Sequence, residues 1–233
     1  MNRIKNVLTT CLLLAFFALL FSLSTSKIIY AETSLANKAY VDPKGYFRIV
    51  PPAGWKIQEY PGDPRGKVGF LLGDDVSLRV LINAVDFDNI DALIEQLKQI
   101  EQKLGLATNI KKIDFFGRQA VERSFSLKGL KFYAVDLLDG KVDHNLQFGA
   151  TPDKFAKYHA LVMKSMETYE PLKRNITDKE VSTHEAAKKL RLAQLMLEMG
   201  NSKLAMEYVK EGLDASPNHQ GLIELKKKLE SKK

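Results

Sequence analysis

Cysteine is almost absent from the 233-residue chain. Its single copy, Cys11, lies inside an N-terminal apolar run, too early and too close behind Thr9-Thr10 to mark a lipid-attachment site. Outside that run there is no thiol, which excludes disulfides, thiol catalysis and cysteine metal sites together and fits an oxidising compartment. Histidine is also scarce. His144, His159, His184 and His219 hold no metal-ligand spacing and no Glu-x-x-His pair. No Gly-x-Ser-x-Gly elbow, phosphate loop or dinucleotide fingerprint is present. Asp86, Asp88 and Asp91 lack the glycine and distal glutamate of a calcium loop, and helix capping and dipole complementarity account for Asp88 and Asp91. Asp143 and His144 are adjacent on a predicted strand, so they point to opposite faces and form no acid–base pair. These absences assign no catalytic residue, no metal ligand and no cofactor, and the chain reads as a non-enzyme.

What is there begins with a targeting pattern. Asn2-Arg3-Ile4-Lys5 is a short basic start, Val7 to Leu23 is almost wholly apolar, and Ala31 offers a small residue before Glu32. Residues 1–31 therefore read as a secretory signal. The apolar run has 17 residues, slightly short of a comfortable bilayer span, so retention as a membrane anchor stays open beside cleavage. The expected location is extracytoplasmic, periplasmic or secreted. Removing Arg3, Lys5 and Lys27 takes the formal charge from +7 to +4. Residues 32–170 hold 19 basic and 19 acidic residues, so the excess lies in the tail. A nucleic-acid binder carries a basic face with interleaved aromatics on its main domain; this chain does not. Lys226-Lys227-Lys228 and Lys232-Lys233 read as a solvated helix end.

After a polar linker over 32–45, the pattern becomes that of a mixed domain over 46–172. Tyr46–Val50 and Trp55–Gln58 read as strands broken by Pro51-Pro52-Ala53-Gly54, followed by Lys67–Leu72 and the alternating Val76–Val85. The period changes at Ile90, Leu93, Ile94, Leu97, Ile100, Glu101 and Leu104, which predicts a helix capped at Asp88 or Asn89 and stopped by Gly105. Strands are predicted over Ile110–Phe116, Gln119–Leu127, Leu130–Leu138 and Val142–Ala150, the last two joined by the hairpin signal Asp139-Gly140. A helix opens at Thr151-Pro152-Asp153 and carries Phe155, Tyr158, Val162, Met166 and Tyr169 as its apolar stripe. Strands in hairpins with helices set apart predict an α+β fold, an antiparallel sheet flanked by helices.

Gly45-Tyr46-Phe47-Arg48-Ile49 followed by Pro51-Pro52-Ala53-Gly54-Trp55 resembles the opening of PsbP-type domains, and Phe116-Gly117-Arg118-Gln119-Ala120 resembles their Gly-x-x-Ala step into the later strands. The resemblance covers residues 40–172. It implies an α/β/α sandwich and the accessory or assembly role of the family's better-known members, which serve photosystem II. No residue here matches a metal constellation that would carry over the binding credited to some relatives.

A linker over 173–182 precedes a helical tail over 183–233. From Ala186 the spacing resembles one tetratricopeptide repeat: Leu192-Ala193, the turn Gly200-Asn201, Ala205, Leu213 and Pro217-Asn218. Lys189, Met196 and Gly212 depart from the pattern, and a third helix over Gly221–Leu229 would cap the hairpin. One repeat does not bury its own faces. Leu192, Met196, Ala205, Val209 and Leu213 are therefore the expected contact residues for the sheet domain, a second copy or a partner protein, with the flanking lysines steering toward an acidic partner or membrane surface. Two functions follow: an exported protein-interaction or assembly factor, or an extracytoplasmic module for a small ligand or lipid held between sheet and helices.

Overall fold

The computed structural model describes residues 34–231 apart from 62, 64–65 and 173–175; the signal segment lies outside the described residues. From Leu35 on, the described residues form one compact unit. Strands β1 (Tyr40–Val41), β2 (Phe47–Ile49) and β10 (Glu170–Pro171) make a small antiparallel sheet in the order β1–β2–β10. The main sheet joins β3 (Lys56–Glu59), β4 (Lys67–Leu71), β5 (Val76–Ala84), β6 (Asn109–Asp114), β7 (Gln119–Leu127), β8 (Leu130–Asp139) and β9 (Val142–Ala150) in the order β3–β4–β5–β9–β8–β7–β6, antiparallel throughout. Helix α1 (Ile90–Lys103) carries the chain from β5 to the far edge, and the meander β6–β9 returns to close against β5. Helices α2 (Pro152–Glu167), α3 (Asp178–Glu198), α4 (Ser202–Ala215) and α5 (Gln220–Glu230) follow. The fold is α+β, as the strand and helix periods predict.

Asn89 is the α1 cap: its side chain accepts from the Ala92 N–H at 2.8 Å. Helix α3 begins at Asp178, inside the stretch read as linker, because Thr177 and Glu180 close a reciprocal capping box there. Likewise the 32–45 stretch is not free of structure: Tyr40–Val41 pairs with Arg48–Ile49, and Leu35 bridges Pro52.

The two faces of the main sheet differ in kind. On one, Leu78, Val80, Ile82, Val135, Leu146 and Phe148 meet Tyr158, Leu161, Val162 and Met166 of α2 in the largest apolar cluster. Trp55 is in that cluster, edge-on to Tyr158 at 6.0 Å between ring centroids, which puts it between the first strands and a helix. On the other face, Leu93, Leu97 and Ile90 of α1 cover Val121 in a smaller cluster. The rest of that face mixes apolar residues, among them Leu81, Leu138, Phe125 and Phe132, with a polar strip.

The tail buries its own apolar faces. Met196, Ala205 and Val209 are fully buried, with Leu192 and Leu213 partly buried beside them, around Tyr208, Leu222 of α5 and Leu104 beyond α1. The surplus apolar surface expected of an isolated hairpin is thus absorbed by a third helix and by the end of α1. At Gly212 the neighbouring helices approach closely: a Cβ there would stand 2.6 Å from a Leu222 methyl and 2.9 Å from Lys189 Cβ, so an alanine at that position forces its neighbours to shift.

Candidate functional site

Strand alternation places Asn83, Asp143, Asn145, Asp136 and Arg123 on the same sheet face, through the pairs Asn83↔Asp143, Asp143↔Leu138, Asn145↔Asp136, Asp136↔Val121 and Ala134↔Arg123. They form a polar strip in which Asp136, Asp143 and Asn145 are buried. Arg123 grips Asp136 with two bonds, Nε to Oδ2 at 2.8 Å and Nη2 to Oδ1 at 3.2 Å, and donates from Nη1 to Glu101 Oε1 at 3.0 Å. Glu101, the one polar residue in the apolar stripe of α1, also accepts from the Thr108 hydroxyl. Asn145 donates to Asp136 Oδ1 at 2.8 Å. Burial works against the Arg123 charge, but the two carboxylates outweigh it and raise its proton affinity. This is a closed charge network that ties α1 to β7, β8 and β9.

Asp143 sits next to that network and is not closed. Asn83 donates to its Oδ2 at 3.0 Å, while its Oδ1 is buried with no partner. Burial, followed by the neighbouring Asp136 charge, pushes its pKa up to about 7. The Lys188 charge of α3 acts on it with the opposite sign.

Helix α3 is fixed to the same region by polar contacts. His184 is buried, and its Nδ1 accepts from the Ala84 N–H at 2.9 Å. Its ring meets Tyr46 at 6.3 Å. Lys188, one turn on, donates to Gln96 of α1 at 2.7 Å. Farther along, Lys103 pairs with Glu211 at 3.6 Å and Lys128 with Glu198 at 2.8 Å.

On the opposite face His144 meets the Tyr169 hydroxyl through Nδ1 at 2.6 Å. Burial, then the Arg118 charge, lowers its pKa to about 4, so the ring is neutral. Arg118 donates from Nη2 to the Tyr169 carbonyl at 3.0 Å, and its Nη1 is buried without a partner. Asp143 and His144 point apart, as strand geometry requires.

The turn between β6 and β7 holds the most unusual surface residue. Phe116 has φ of 52° and is 52% exposed. Bulky residues rarely enter the left-handed region. The conformation is held by Asp114, which accepts from the Gly117 N–H at 2.8 Å, and by edge-on contact with Phe115 at 4.6 Å. Phe116 thus ends in a turn, not in the strand its apolar character predicted.

At the other end of β7 and β8 lies an open groove of about 670 Å3, lined by Thr108, Asn109, Ser124, Ser126, Lys131 and Phe155 among others. Among the described residues, no three His, Cys, Asp or Glu side chains are grouped to hold a metal ion, and no helix is long and apolar enough to cross a membrane.

Sequence reasoning located none of these polar sites. Glu101 stood out as the exception in its stripe, but Arg123 and Asp136 are distant in sequence. In the sequence His184 enters only as a histidine without metal-ligand spacing, because it begins a stretch that reads as ordinary helix after a linker. The five tail residues named from sequence are brought together, though inside the tail's own core.

No protein-family model matches the chain, and no curated protein matches it. Among solved structures it is similar to cyanobacterial PsbP from Synechocystis, at 16% identity and a TM-score of 0.43 over 64% of this chain and 98% of that one. It is also similar to a Pseudomonas aeruginosa protein of unknown function, at 15% identity and a TM-score of 0.36 over 60% of this chain and 98% of that one. A Bacteroides thetaiotaomicron structure matches at 12% identity and a TM-score of 0.43 over 79% of this chain and 73% of that one. At these scores the likenesses carry no argument about activity or partners.

Proposed function

We propose that the chain is an exported, non-enzymatic interaction or accessory factor, the role that the PsbP resemblance implies. The N-terminal signal pattern supports export. The observation that carries the interaction reading is Phe116, a large aromatic held in solvent on a turn whose backbone is strained and braced. Strain of this kind persists where the surroundings over-determine it and clusters at functional positions. Aromatic anchors dominate the binding energy of protein interfaces. The five tail residues Leu192, Met196, Ala205, Val209 and Leu213 serve that role indirectly, by holding the hairpin together and leaving its lysine-bearing outer face toward a partner.

A photocrosslinking residue at position 116, placed in the full chain in its source cell, tests this. Discrete protein adducts are expected from 116 and not from Lys227, exposed on α5. No adduct at 116, or equal capture from both positions, overturns the reading.

The groove at the end of β7 and β8 favours a second reading, a module for a small ligand or lipid, since aromatic, hydroxyl and amino groups share one concavity. Native mass spectrometry of the exported protein separates the two: a bound small molecule in an otherwise lone chain supports the groove.

A further inference from the structure

The open groove at the end of β7 and β8 gathers polar groups that the chain itself does not use. Register places Asn109, Ser124, Ser126 and Lys131 on one sheet face, since Asn109 pairs with Ser124 and Ser126 with Lys131. It is the face of Phe148, because Ser124 pairs with Tyr133 and Tyr133 with Phe148. Phe155 of α2 stacks on Phe148 at 4.7 Å between ring centroids and forms an aromatic wall of the groove. Phe125 and Phe132 alternate with the polar residues and belong to the opposite face.

Asn109, Ser124, Ser126 and Lys131 are all exposed, and none of their side chains makes a hydrogen bond or ion pair with another described residue. Elsewhere the chain uses such groups on itself. Lys128, Lys154 and Lys189 pair with Glu198, Asp75 and Glu211. The hydroxyls of Ser165, Thr168, Ser182 and Thr183 donate to backbone carbonyls. In the groove, Thr108 alone is engaged: its hydroxyl donates to Glu101, which leaves the oxygen as an acceptor.

These groups select a ligand by their chemistry. The groove has a volume of about 670 Å3, within the ~300–1,000 Å3 span of ligand sites. An acyl chain would strip water from four polar side chains and pair none of them, which is unfavourable. Lys131 is the one charged lining residue among those described. A single ammonium is a point charge, without the planar fork that suits a multiply charged phosphate, so it matches one carboxylate. Hydroxyl and amide groups both donate and accept, as the hydroxyls of a sugar ring do. The aromatic wall suits the apolar C–H face of the same ring, and an open groove admits a ring that is part of a longer chain.

We infer that the groove binds an acidic oligosaccharide: a uronic-acid ring lies against Phe155, its hydroxyls bond Asn109, Ser124, Ser126 and the Thr108 oxygen, and its carboxylate pairs with Lys131. This rests on the groove being a ligand site, the second reading of the function.

Amide chemical shifts of the full exported chain, titrated with trigalacturonate, maltotriose or laurate, test it. Trigalacturonate is expected to move the amides of Asn109, Ser124, Ser126 and Lys131, with maltotriose binding more weakly. Lys131→Gln, at an exposed position, is expected to weaken trigalacturonate binding roughly tenfold, the loss of one bond to a charged group, and to leave maltotriose unchanged. Equal affinity for the two sugars, or a Lys131→Gln variant that binds trigalacturonate like wild type, overturns the inference. So do shifts confined to the Lys226-Lys227-Lys228 end, which would mark a polyanion on a basic helix. Shifts at the groove with laurate alone overturn the sugar but keep the groove as a ligand site. No shift at the groove with any of the three overturns both.

Discussion

The two faces of one sheet are held down by different physics. Under α2 the contacts are apolar, continuous and fully enclosed. Under α1 an apolar patch around Leu93, Leu97, Val121 and Leu138 borders the ionic, directional contacts of Arg123 with Glu101 and Asp136, and α3 adds hydrogen bonds through His184 and Lys188. Apolar burial tolerates small errors of placement, because it scales with area. A buried charge network does not: it is stable when every partner is present and costly when one is missing. The lesson is that the apolar face makes the domain fold, while the polar face decides where α1 and the tail sit on it.

The sharpest way to break that contrast is Arg123→Met. It leaves Glu101 and Asp136 buried without their cation, a loss of about 3–5 kcal/mol in denaturant unfolding. Adding Glu101→Gln and Asp136→Asn to the same chain is expected to return part of that stability, because the orphaned charges are gone. A single substitution as mild as a surface change, within about 0.5 kcal/mol of wild type, would show that water compensates the carboxylates. The matching test on the apolar face is Trp55→Ala, expected to cost about 3–4 kcal/mol. The lower part of the usual range applies because Trp55 Nε1 is buried without a partner, and the substitution removes that orphan along with the ring. No neutralising second change is expected to rescue it.

The contrast also explains what was legible before the structure. Alternation in Val76–Ala84 and the helical stripe of Ile90–Leu104 announce apolar faces, because burial imposes a period on sequence. The seven strands of the main sheet and the helices Ile90–Lys103 and Pro152–Glu167 follow that reading within a few residues, whereas α3 starts earlier than its apolar spacing shows. Two-residue strands such as β1 and β10 are too short to show any period, and β10 exists because Glu170 and Pro171 lie against Arg48 and Phe47. The polar strip has no period of its own. It arises from side chains on β5, β7, β8, β9 and α1 that meet only once the meander has folded, so Arg123, Asp136 and Asp143 looked like ordinary strand charges. Phe116 was missed for a local reason: an apolar residue beside a strand looks like its continuation until Gly117 and Asp114 turn the chain.

Acid separates the faces by sign. His144 lies on the α2 side with its pKa lowered to about 4 from the ordinary value near 6.5. The folded state therefore binds fewer protons than the unfolded state in that interval. Its contribution, about 3 kcal/mol, is fully present above about pH 6.5 and is lost progressively as pH falls toward 4. Asp143, on the other face, is raised to about 7 and works in the opposite direction: its contribution is fully present below the ordinary carboxylate pKa and is lost as pH rises through about 7. Unfolding free energies of His144→Gln and wild type, measured across this range in an Asp143→Asn background, are expected to diverge as pH rises from 4 to about 6.5. Parallel curves would mean that the His144 ring is protonated in the fold and bonded differently to Tyr169.

The smallest expected effect concerns two glycines on the polar side of the sheet. Gly149 and Gly69 both lie in strands with ordinary backbone angles, so neither is needed for conformation. They differ in what passes over them. A Cβ at Gly149 would meet the Phe132 ring at 2.5 Å, and that ring is stacked on Phe125 at 5.0 Å across the β7–β8 pair. The glycine lets the Phe132 ring lie against the sheet at the end of the polar strip. A Cβ at Gly69 would find its nearest neighbour, a Leu71 methyl, at 3.4 Å, an ordinary contact. Gly149→Ala is therefore expected to cost about 1–3 kcal/mol by displacing the ring and separating the aromatic pair. Gly69→Ala is expected to be neutral or slightly stabilising, since alanine narrows the unfolded ensemble at no cost in contacts. Equal melting temperatures for the two variants would show that Phe132 swings aside freely. The aromatic pair would then contribute nothing to a face otherwise held by charge.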